Sequence, residues 1–337
     1  MSAVKNPTKP FVVIHDSAHG ETARGGEALR RAVVAIGNFD GVHRGHRAVI
    51  GAAAERARAR GVPAAVVTFE PHPRALFHPG APLFRLTPET AKLRLLAGCG
   101  LDGAIVLRFD AALAQLTAEE FVSDILVDRY AISGAAIGFN FHFGKGRRGS
   151  PDFLKTQGDK FGFAVDIVAP LQDAGRPVSS GPIRAALAAG DVATAASLLG
   201  YPWFVTGDVL HGDKRGRELG YPTANIALDP SCAFKQGIYA VRVGVNGARH
   251  DGVASFGRRP TFDNGPPLLE VHLFDFAGDL YGARIDVAFV AWIRGEEKFA
   301  SGEDLIAHMH ADSRSARAAL ANAGDTFPPF GPYLNAT

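Results

Sequence analysis

Short apolar runs alternate with helical patterns along the first half of the chain. The runs with the length of a buried strand are residues 32–36, 64–69, 103–107, 135–139 and 164–168. Between the first two of them, residues 46–60 are rich in Ala and Arg, which favour helix. Strands that alternate with helices indicate βαβ units and a parallel sheet covered by helices. The expected fold class of this half is therefore α/β, of the Rossmann-like type.

Capping signals locate further elements in this half. Thr87 before Pro88 predicts an N-cap followed by proline at the first helical position. Thr117 and Glu120 have the spacing of a capping box, and apolar residues recur at helical spacing after them. Near the start of the chain, the apolar residues 11–14 fit a short edge strand.

Beyond Gly200 the pattern changes to alternation with a period of two. Every second residue is apolar within residues 241–245, 269–273 and 285–289, so each run turns one face toward a core. Turn signals at Asn246-Gly247 and Gly278-Asp279 predict antiparallel hairpins. An all-β antiparallel barrel is the natural closure, and Ser301 then predicts a C-terminal amphipathic helix.

These patterns predict four segments. A chain of 337 residues exceeds the usual size of one compact domain. The expected segments are an N-terminal extension over 1–30, an α/β domain over 31–186, a helical linker over 187–202 and a β-barrel domain over 203–337.

Charge and cysteine content narrow the classes of partner and compartment. There are 36 basic and 34 acidic residues, a net charge of +2, which argues against nucleic acid as a partner. Cys99 and Cys232 lie far apart and form no CxxC spacing, which fits a reducing cytosol. The chain carries neither a signal-peptide pattern nor a long apolar run. We expect a cytoplasmic protein without a membrane partner, whose homo-oligomers, if formed, are weak or transient.

The first candidate site is the segment GNFDGVHRGH, residues 37–46. It directly follows a predicted strand and opens a helix, where free N–H groups can meet a phosphate. The candidate phosphate-binding residues are Gly37, Asn38, Phe39, Asp40 and Gly41. His43 and His46 can donate hydrogen bonds to a developing pyrophosphate. The alternatives are a glycine-rich turn with incidental histidines and a metal site formed by the two histidines with Asp40.

The second candidate site is a basic, glycine-rich loop that joins two predicted strands, residues 211–225. Its candidate phosphate-binding residues are Gly212, Lys214, Arg215 and Gly216. Thr223 and Asn225 offer hard oxygen ligands suited to Mg²⁺. The alternative is a solvated hairpin. Further along, the apolar alternation around Glu270 turns this carboxylate and His272 onto the face opposite Leu269 and Val271.

The segment GNFDGVHRGH resembles the bacterial bifunctional riboflavin kinase/FAD synthetase family. Further matching segments are TFEPHP (68–73), GFNFHFGK (138–145), SSGPIR (179–184), the loop 211–225 with its LGYPTAN ending, GIYAV (237–241), GRRPTF (257–262) and LEVHLFDF (269–276). The resemblance covers about residues 31–325 and both halves of the chain. It implies an FMN adenylyltransferase in the α/β domain and a riboflavin kinase in the barrel.

The resemblance also implies roles for particular residues. Riboflavin, FMN and FAD would be substrates and products, with ATP as co-substrate and Mg²⁺ as cofactor. Ser179, Ser180 and Arg184 would hold ATP phosphates opposite His43 and His46. Glu270 would be the general base that accepts the proton of the ribityl hydroxyl. The expected flavin contacts are Phe139, Asn140, Phe141, Arg259 and Phe274.

Two positions depart from the family pattern. Gly181 stands where the family commonly has a threonine, and Asn140 stands where it commonly has an aspartate. Both departures concern the adenylyltransferase site. They leave open a riboflavin kinase with a degenerate first domain, and a non-catalytic flavin- or nucleotide-binding regulator.

Overall fold

The computed structural model describes residues 10–17, 26–173, 175–211, 220–257 and 267–335. The chain divides into two compact units. The first consists of Met1–Leu83, Thr87–Val178 and Pro329–Thr337, and the second of Phe84–Leu86 and Ser179–Pro328. None of the helices within the described ranges is long and apolar enough to cross a membrane.

The first unit is built on a seven-stranded parallel sheet. Its strands are β1 (Phe11–Asp16), β2 (Val33–Ile36), β3 (Ala64–Glu70), β4 (Gly103–Arg108), β5 (Gly134–Gly138), β6 (Ala164–Val168) and the C-terminal β15 (Tyr333–Asn335). Their order is β15-β1-β4-β3-β2-β5-β6, and every pairing is parallel. The five strands predicted for this half are confirmed to within one residue at each end. A short antiparallel pair, β7 (Gln172–Asp173) and β8 (Arg176–Pro177), follows the sheet.

Helices connect these strands. They are α1 (Arg44–Arg60), α2 (Pro73–Phe77), α3 (Glu89–Ala97), α4 (Ala111–Gln115), α5 (Ala118–Glu120) and α6 (Pro151–Phe161), with 3-10 turns at Gly26–Leu29 and Lys145–Arg147. The capping box of Thr117 and Glu120 is confirmed. The apolar stretch after it is a π-helix, Phe121–Arg129. Its end is marked by a bond from the Tyr130 N–H to the Ile125 carbonyl five residues back.

The predicted N-cap role of Thr87 is wrong. The N-cap of α3 is Pro88, which makes no side-chain capping bond. The Thr87 hydroxyl instead accepts a hydrogen bond from the Gly41 N–H at 2.9 Å. Both groups are buried, and a buried N–H must find an acceptor, so this long-range bond takes the hydroxyl away from the local cap.

The strand at residues 11–14 is also not an edge strand. β1 pairs with β4 on one side and with β15 on the other. The edge position passes to β15, a segment more than 300 residues further along the chain. Parallel pairing of strands so far apart leaves no local signal in the sequence.

The second unit contains a nearly closed antiparallel barrel. Its strands are β9 (Phe204–Asp208), β10 (Ala224–Ala227), β11 (Gly237–Val245), β12 (Ala248–Gly257), β13 (Leu268–Leu273) and β14 (Arg284–Arg294). The order is β10-β13-β12-β11-β14-β9. A bridge between Leu210 and Asn225 brings the two ends of this order together.

The two predicted hairpins have different outcomes. Asn246 and Gly247 have φ angles of 49° and 79° and join β11 to β12, as predicted. The hairpin at Gly278-Asp279 is wrong, because β13 and β14 are not neighbours. The long buried strand β11 pairs along both of its sides, and β14 takes the side opposite β12.

Within its described residues, the second unit also contains three helices: α7 (Ser180–Ala189), α8 (Val192–Leu199) and α9 (Gly302–Asn322). The Ser301 side chain caps α9 by accepting a bond from the Asp304 N–H at 3.1 Å. The helix buries Asp312, Ala316 and Leu320 at helical spacing. Around the barrel interior, the Trp203 ring stacks on Phe289 with centroids 5.3 Å apart.

Candidate functional sites

The loop of residues 37–46 leaves β2 and enters α1 at the carboxyl edge of the parallel sheet. Phe39, Gly41 and Val42 have positive φ angles of 50°, 85° and 35°, so the chain coils tightly before the helix begins. The loop is tied at its centre, where the Asp40 carboxylate accepts from the Thr87 N–H at 2.9 Å. Together with the bond from Gly41 to Thr87, this locks the tight turn to the segment before α3.

His43 and His46 form a stacked pair at the start of α1. Their ring centroids are 3.5 Å apart and their planes differ by 18°. His43 Nδ1 accepts from the His46 N–H at 3.2 Å and so caps the helix. Because Nδ1 is the acceptor, the neutral His43 ring carries its hydrogen on Nε2, where it can be donated to an anion.

The surroundings of His46 disfavour a charged ring. Burial lowers the pKa of His46 well below its ordinary value, and the charges of His43 and Lys92 lower it further. Within the described residues, His46 Nδ1 is buried without a hydrogen-bond partner. The ring is thus neutral and offers an N–H as a hydrogen-bond donor in place of a positive charge. The described ranges contain no group of three His, Cys, Asp or Glu side chains able to hold a metal ion.

A cavity of about 630 Å³ lies at the same edge of the sheet, and the sequence did not indicate it. It is lined at the ends of β1, β3 and β4 by residues including Asp16, Glu70, Pro71 and Arg108. Ligands of open α/β sheets bind beyond the carboxyl ends of strands. The only sequence signal available was that these residues follow predicted strands.

The other residues predicted for adenylyl transfer lie in different surroundings. Phe139 is 49% exposed, and Asn140 beside it is also exposed at the end of β5. Phe141 stacks on Phe143 with centroids 5.5 Å apart. Ser179 and Ser180 belong to the second unit, where they begin α7.

Arg184 lies on α7, in the second unit, one turn after these serines. Its Nε donates to the Phe84 carbonyl at 2.6 Å, so one edge of the guanidinium is occupied. Gly181, on the first turn of the same helix, has open space around it, so a Cβ atom added there would meet no neighbour within 4 Å.

The second site is a row of polar residues that crosses three strands of the barrel. Glu270 on β13 pairs with Asn225 on β10 and with Ser255 on β12. Glu270 is exposed, while Leu269 and Val271 on either side are fully buried. The predicted alternation of faces is therefore confirmed.

Asn225 carries an unsatisfied oxygen at this site. The residue is 6% exposed, and its Oδ1 has no hydrogen-bond partner among the described residues. A buried carbonyl oxygen without a donor is costly unless a ligand completes it. The oxygen beside Glu270 is thus unsatisfied, and its predicted role as a Mg²⁺ ligand stays a prediction. Burial raises the pKa of Glu296, and the charge of Glu270 raises it further, which places a second carboxyl group near the row.

The segment before Asn225 is held by side chains that the sequence did not identify. His272 Nδ1 lies 3.0 Å from the Pro222 carbonyl and donates to it. The Tyr221 hydroxyl lies 2.6 Å from His310 Nδ1 on α9. These bonds anchor the two residues that precede Thr223, which is half-buried. Their partners are about 50 and 90 residues away in sequence, so no motif joins them.

The remaining predicted residues are placed as follows. Phe274 is 5% exposed and packs under the Arg317 guanidinium, 4.2 Å from the ring centre. The phosphate candidates Gly212, Lys214, Arg215 and Gly216 and the flavin candidate Arg259 lie outside the described residues.

Comparison with known proteins decides the family. A model of FAD synthetase matches residues 26–182, and a model of riboflavin kinase matches residues 199–320. The bifunctional riboflavin kinase/FMN adenylyltransferase of Escherichia coli strain K12 is 43% identical over 286 residues, which cover 85% of this chain and 91% of the relative. This chain belongs to the bifunctional riboflavin kinase/FMN adenylyltransferase family.

Other members of the bifunctional family show similar agreement. The Pseudomonas fluorescens protein of the same name is 44% identical over 301 residues, covering 87% of this chain and 94% of that protein. The Bacillus subtilis protein is 37% identical over 297 residues, covering 86% of this chain and 93% of that protein.

Among solved structures, the crystal structure of a macrolide-efflux protein from Streptococcus pneumoniae is similar to this chain. It has a TM-score of 0.79 and 32% identity, covering 90% of this chain and 99% of that one. The resemblance to the bifunctional family, inferred from short motifs, is confirmed.

Proposed function

We propose that this chain makes both flavin cofactors. It phosphorylates riboflavin with ATP to give FMN and then transfers AMP from a second ATP to FMN, which gives FAD and pyrophosphate. One observation carries the proposal: a single chain of this family contains both candidate sites. The first is the loop of residues 37–46, called the phosphate loop below, at the carboxyl edge of a parallel sheet. The second is the polar row of Asn225, Glu270 and Ser255 on a barrel.

Riboflavin phosphorylation is assigned to the second unit. Glu270 accepts the proton of the terminal ribityl hydroxyl as that oxygen attacks the γ-phosphorus of ATP, and ADP leaves. The exposed carboxylate is suited to this role because it projects away from the core face of β13. Mg²⁺ would be held by Thr223 and by the unsatisfied Asn225 Oδ1, and it supplies charge neutralisation on the phosphates.

Adenylyl transfer is assigned to the first unit. A phosphate oxygen of FMN attacks the α-phosphorus of ATP, the bond to the β-phosphate breaks, and pyrophosphate leaves. The FMN phosphate is already ionised, so this step needs charge stabilisation more than a base. The N–H groups at the start of α1, the His43 ring and the neutral His46 ring supply donors. Ser179, Ser180 and Arg184, to which the family resemblance gives this role, are proposed as further phosphate ligands.

The proposal includes the setting of the enzyme. The adenylyltransferase occupies residues 31–186 and the kinase residues 203–337, joined by the segment 187–202. The enzyme works in the cytoplasm on small molecules, without nucleic acid or membrane partners, and any self-association is weak. Phe139, Asn140, Phe141, Arg259 and Phe274 are the proposed flavin contacts.

The direct test is a time course of purified protein with riboflavin, ATP and Mg²⁺, with riboflavin, FMN and FAD separated by chromatography. We expect FMN to appear first and FAD to follow. FMN that accumulates without FAD would favour a kinase with a degenerate first unit. Flavin binding without any product would favour a non-catalytic regulator.

A further inference from the structure

Lys92 is a fully buried cation that the proposed chemistry does not use. It lies on α3 and is 1% exposed, although lysine is almost never buried without a partner. Its Nζ lies 2.6 Å from Glu70 Oε1, 3.1 Å from Thr68 Oγ1 and 3.3 Å from the Asn38 carbonyl oxygen. Three acceptors match the three N–H donors of an ammonium group.

Two of these contacts converge on the phosphate loop. Asn38 is the second residue of the loop 37–46, and its carbonyl accepts from Lys92 and also from the Thr68 hydroxyl at 3.2 Å. The carbonyl belongs to the residue before Phe39, where the backbone turns to a positive φ. The Lys92 charge also acts on His46, at the other end of the loop. Lys92 therefore contacts the loop next to the residue at which the backbone first changes direction.

Stability alone is a weak reason for such a group. A buried ion pair often contributes little more than apolar side chains of similar volume would. An apolar residue at position 92 could fill the space, but it would leave the Asn38 carbonyl with one donor fewer. The distinctive property of Lys92 is the hydrogen bond that it donates to the loop.

We propose that Lys92 is a positioning residue for adenylyl transfer, which holds the Asn38 carbonyl and so keeps the loop of residues 37–46 in the geometry that meets the ATP phosphates. Glu70 neutralises the ammonium, and Thr68 shares the same carbonyl. Lys92 acts through the loop. The inference rests on the proposed adenylyl transfer in the first unit.

The first test is Lys92→Met, which removes the ammonium and keeps a long, flexible stem. We expect kcat/KM for conversion of FMN to FAD to fall by about 10²-fold, the cost of small displacements in a catalytic geometry. The loss should lie in kcat more than in KM for ATP, because misaligned donors matter most where charge develops in the transition state. Riboflavin phosphorylation by the same protein should keep its rate, which provides an internal control for protein concentration and for folding of the second unit.

Two further variants separate positioning from stability. Leu96→Ala removes a fully buried side chain from the same helix; it should lower the melting temperature but keep kcat for FAD formation in the folded protein. The double variant Lys92→Met/Glu70→Gln removes both charges, so its melting temperature should rise above that of Lys92→Met while FAD formation stays low.

The outcomes distinguish the inference from the proposed function. An unchanged rate of FAD formation in Lys92→Met, or a rate that recovers with the melting temperature in the double variant, would overturn the role of Lys92 alone. A wild-type protein that makes FMN but no FAD would overturn the proposed adenylyl transfer itself, and the role of Lys92 with it.

Discussion

At the scale of residues, the first candidate site contains a histidine, His46, whose surroundings keep it neutral. His46 is enclosed by the loop, by the stacked ring of His43 and by the nearby charge of Lys92, and each of these lowers its pKa. Phe39 meets it edge-on with centroids 5.3 Å apart. A neutral ring in this setting can donate a hydrogen bond, as the proposed adenylyl transfer requires, without the cost of burying a cation.

The lowered pKa of His46 predicts a dependence of stability on pH. In the unfolded chain a histidine takes up a proton near its ordinary pKa of about 6.5, whereas in the folded protein it resists protonation. Between these two pKa values the unfolded state binds more protons, so the free energy of unfolding falls as the pH falls below about 6.5. The difference of one bound proton changes the free energy of unfolding by at most about 1.4 kcal/mol per pH unit.

The measurement is urea denaturation of the wild type and of His46→Gln between pH 8 and pH 5, followed by a probe in the first unit. We expect the wild type to lose stability more steeply than the variant in the acidic half of this range. Parallel curves for the two proteins would show that His46 titrates alike in the folded and unfolded states.

At the scale of elements, the C-terminal strand ties the end of the chain to the first sheet. β15 pairs in parallel with β1. Just before it, the Gly331 N–H donates to the Arg94 carbonyl at 2.9 Å, and the Arg94 guanidinium lies 3.7 Å from the centre of the Phe330 ring. The segment thus anchors on α3, the helix that carries Lys92 under the phosphate loop.

Phe330→Ala is expected to destabilise the first unit by about 1–2 kcal/mol, because it removes a half-buried ring and its cation–π contact. The matched control is Leu334→Ala on β15, where the side chain is 58% exposed, so the change should stay within about 0.5 kcal/mol. Both values come from the urea denaturation of the first unit. Equal effects of the two substitutions would contradict the anchoring role of Phe330.

The predictability of elements depended on how local their signals are. The strand β3 and the capping box at Thr117 were predicted correctly, because a buried run or a three-residue spacing is enough to specify them. The supposed N-cap at Thr87 failed, because a buried N–H 46 residues away took its hydroxyl. The supposed hairpin at Gly278-Asp279 failed because strand order is decided by the long strand β11 and not by the turn.

At the scale of the whole molecule, each unit has its own core and its own proposed reaction. The core of the first unit includes Ile14, Val67, Ile105 and Ile137 from its sheet, while Trp203, Phe234 and Phe289 contact one another in the second. The core residues named for each unit belong to that unit. The two activities should therefore respond separately to substitutions at their sites.

Glu270→Gln tests this separation. Riboflavin phosphorylation should fall on the order of 10²–10⁴-fold, the typical contribution of a general base, while conversion of supplied FMN to FAD keeps its rate. Glu303→Gln, at an exposed position on α9, is the control and should leave both rates unchanged. Both reactions are followed by chromatography of the flavins. An unchanged kinase rate in Glu270→Gln would remove Glu270 from the mechanism.

The sequence by itself determined the kinds of element, the two fold classes, the position of the loop of residues 37–46 between β2 and α1, and the family. These features are written in periodicity and in contiguous motifs, where every residue that matters is close to the next along the chain. The face of β13 on which Glu270 lies could be predicted in the same way, because its neighbours alternate between apolar and polar residues.

Only the tertiary structure decided which distant residues meet. Three such contacts join distant positions. Lys92 meets the Asn38 carbonyl 54 residues away, and His310 meets Tyr221 89 residues away. Strand β15 pairs with β1, about 320 residues away. Such contacts follow from strand order and from the packing of helices on sheets, which are properties of the complete set of buried surfaces. No short segment carries that information, so the groups that hold the two sites in place became visible only in the folded chain.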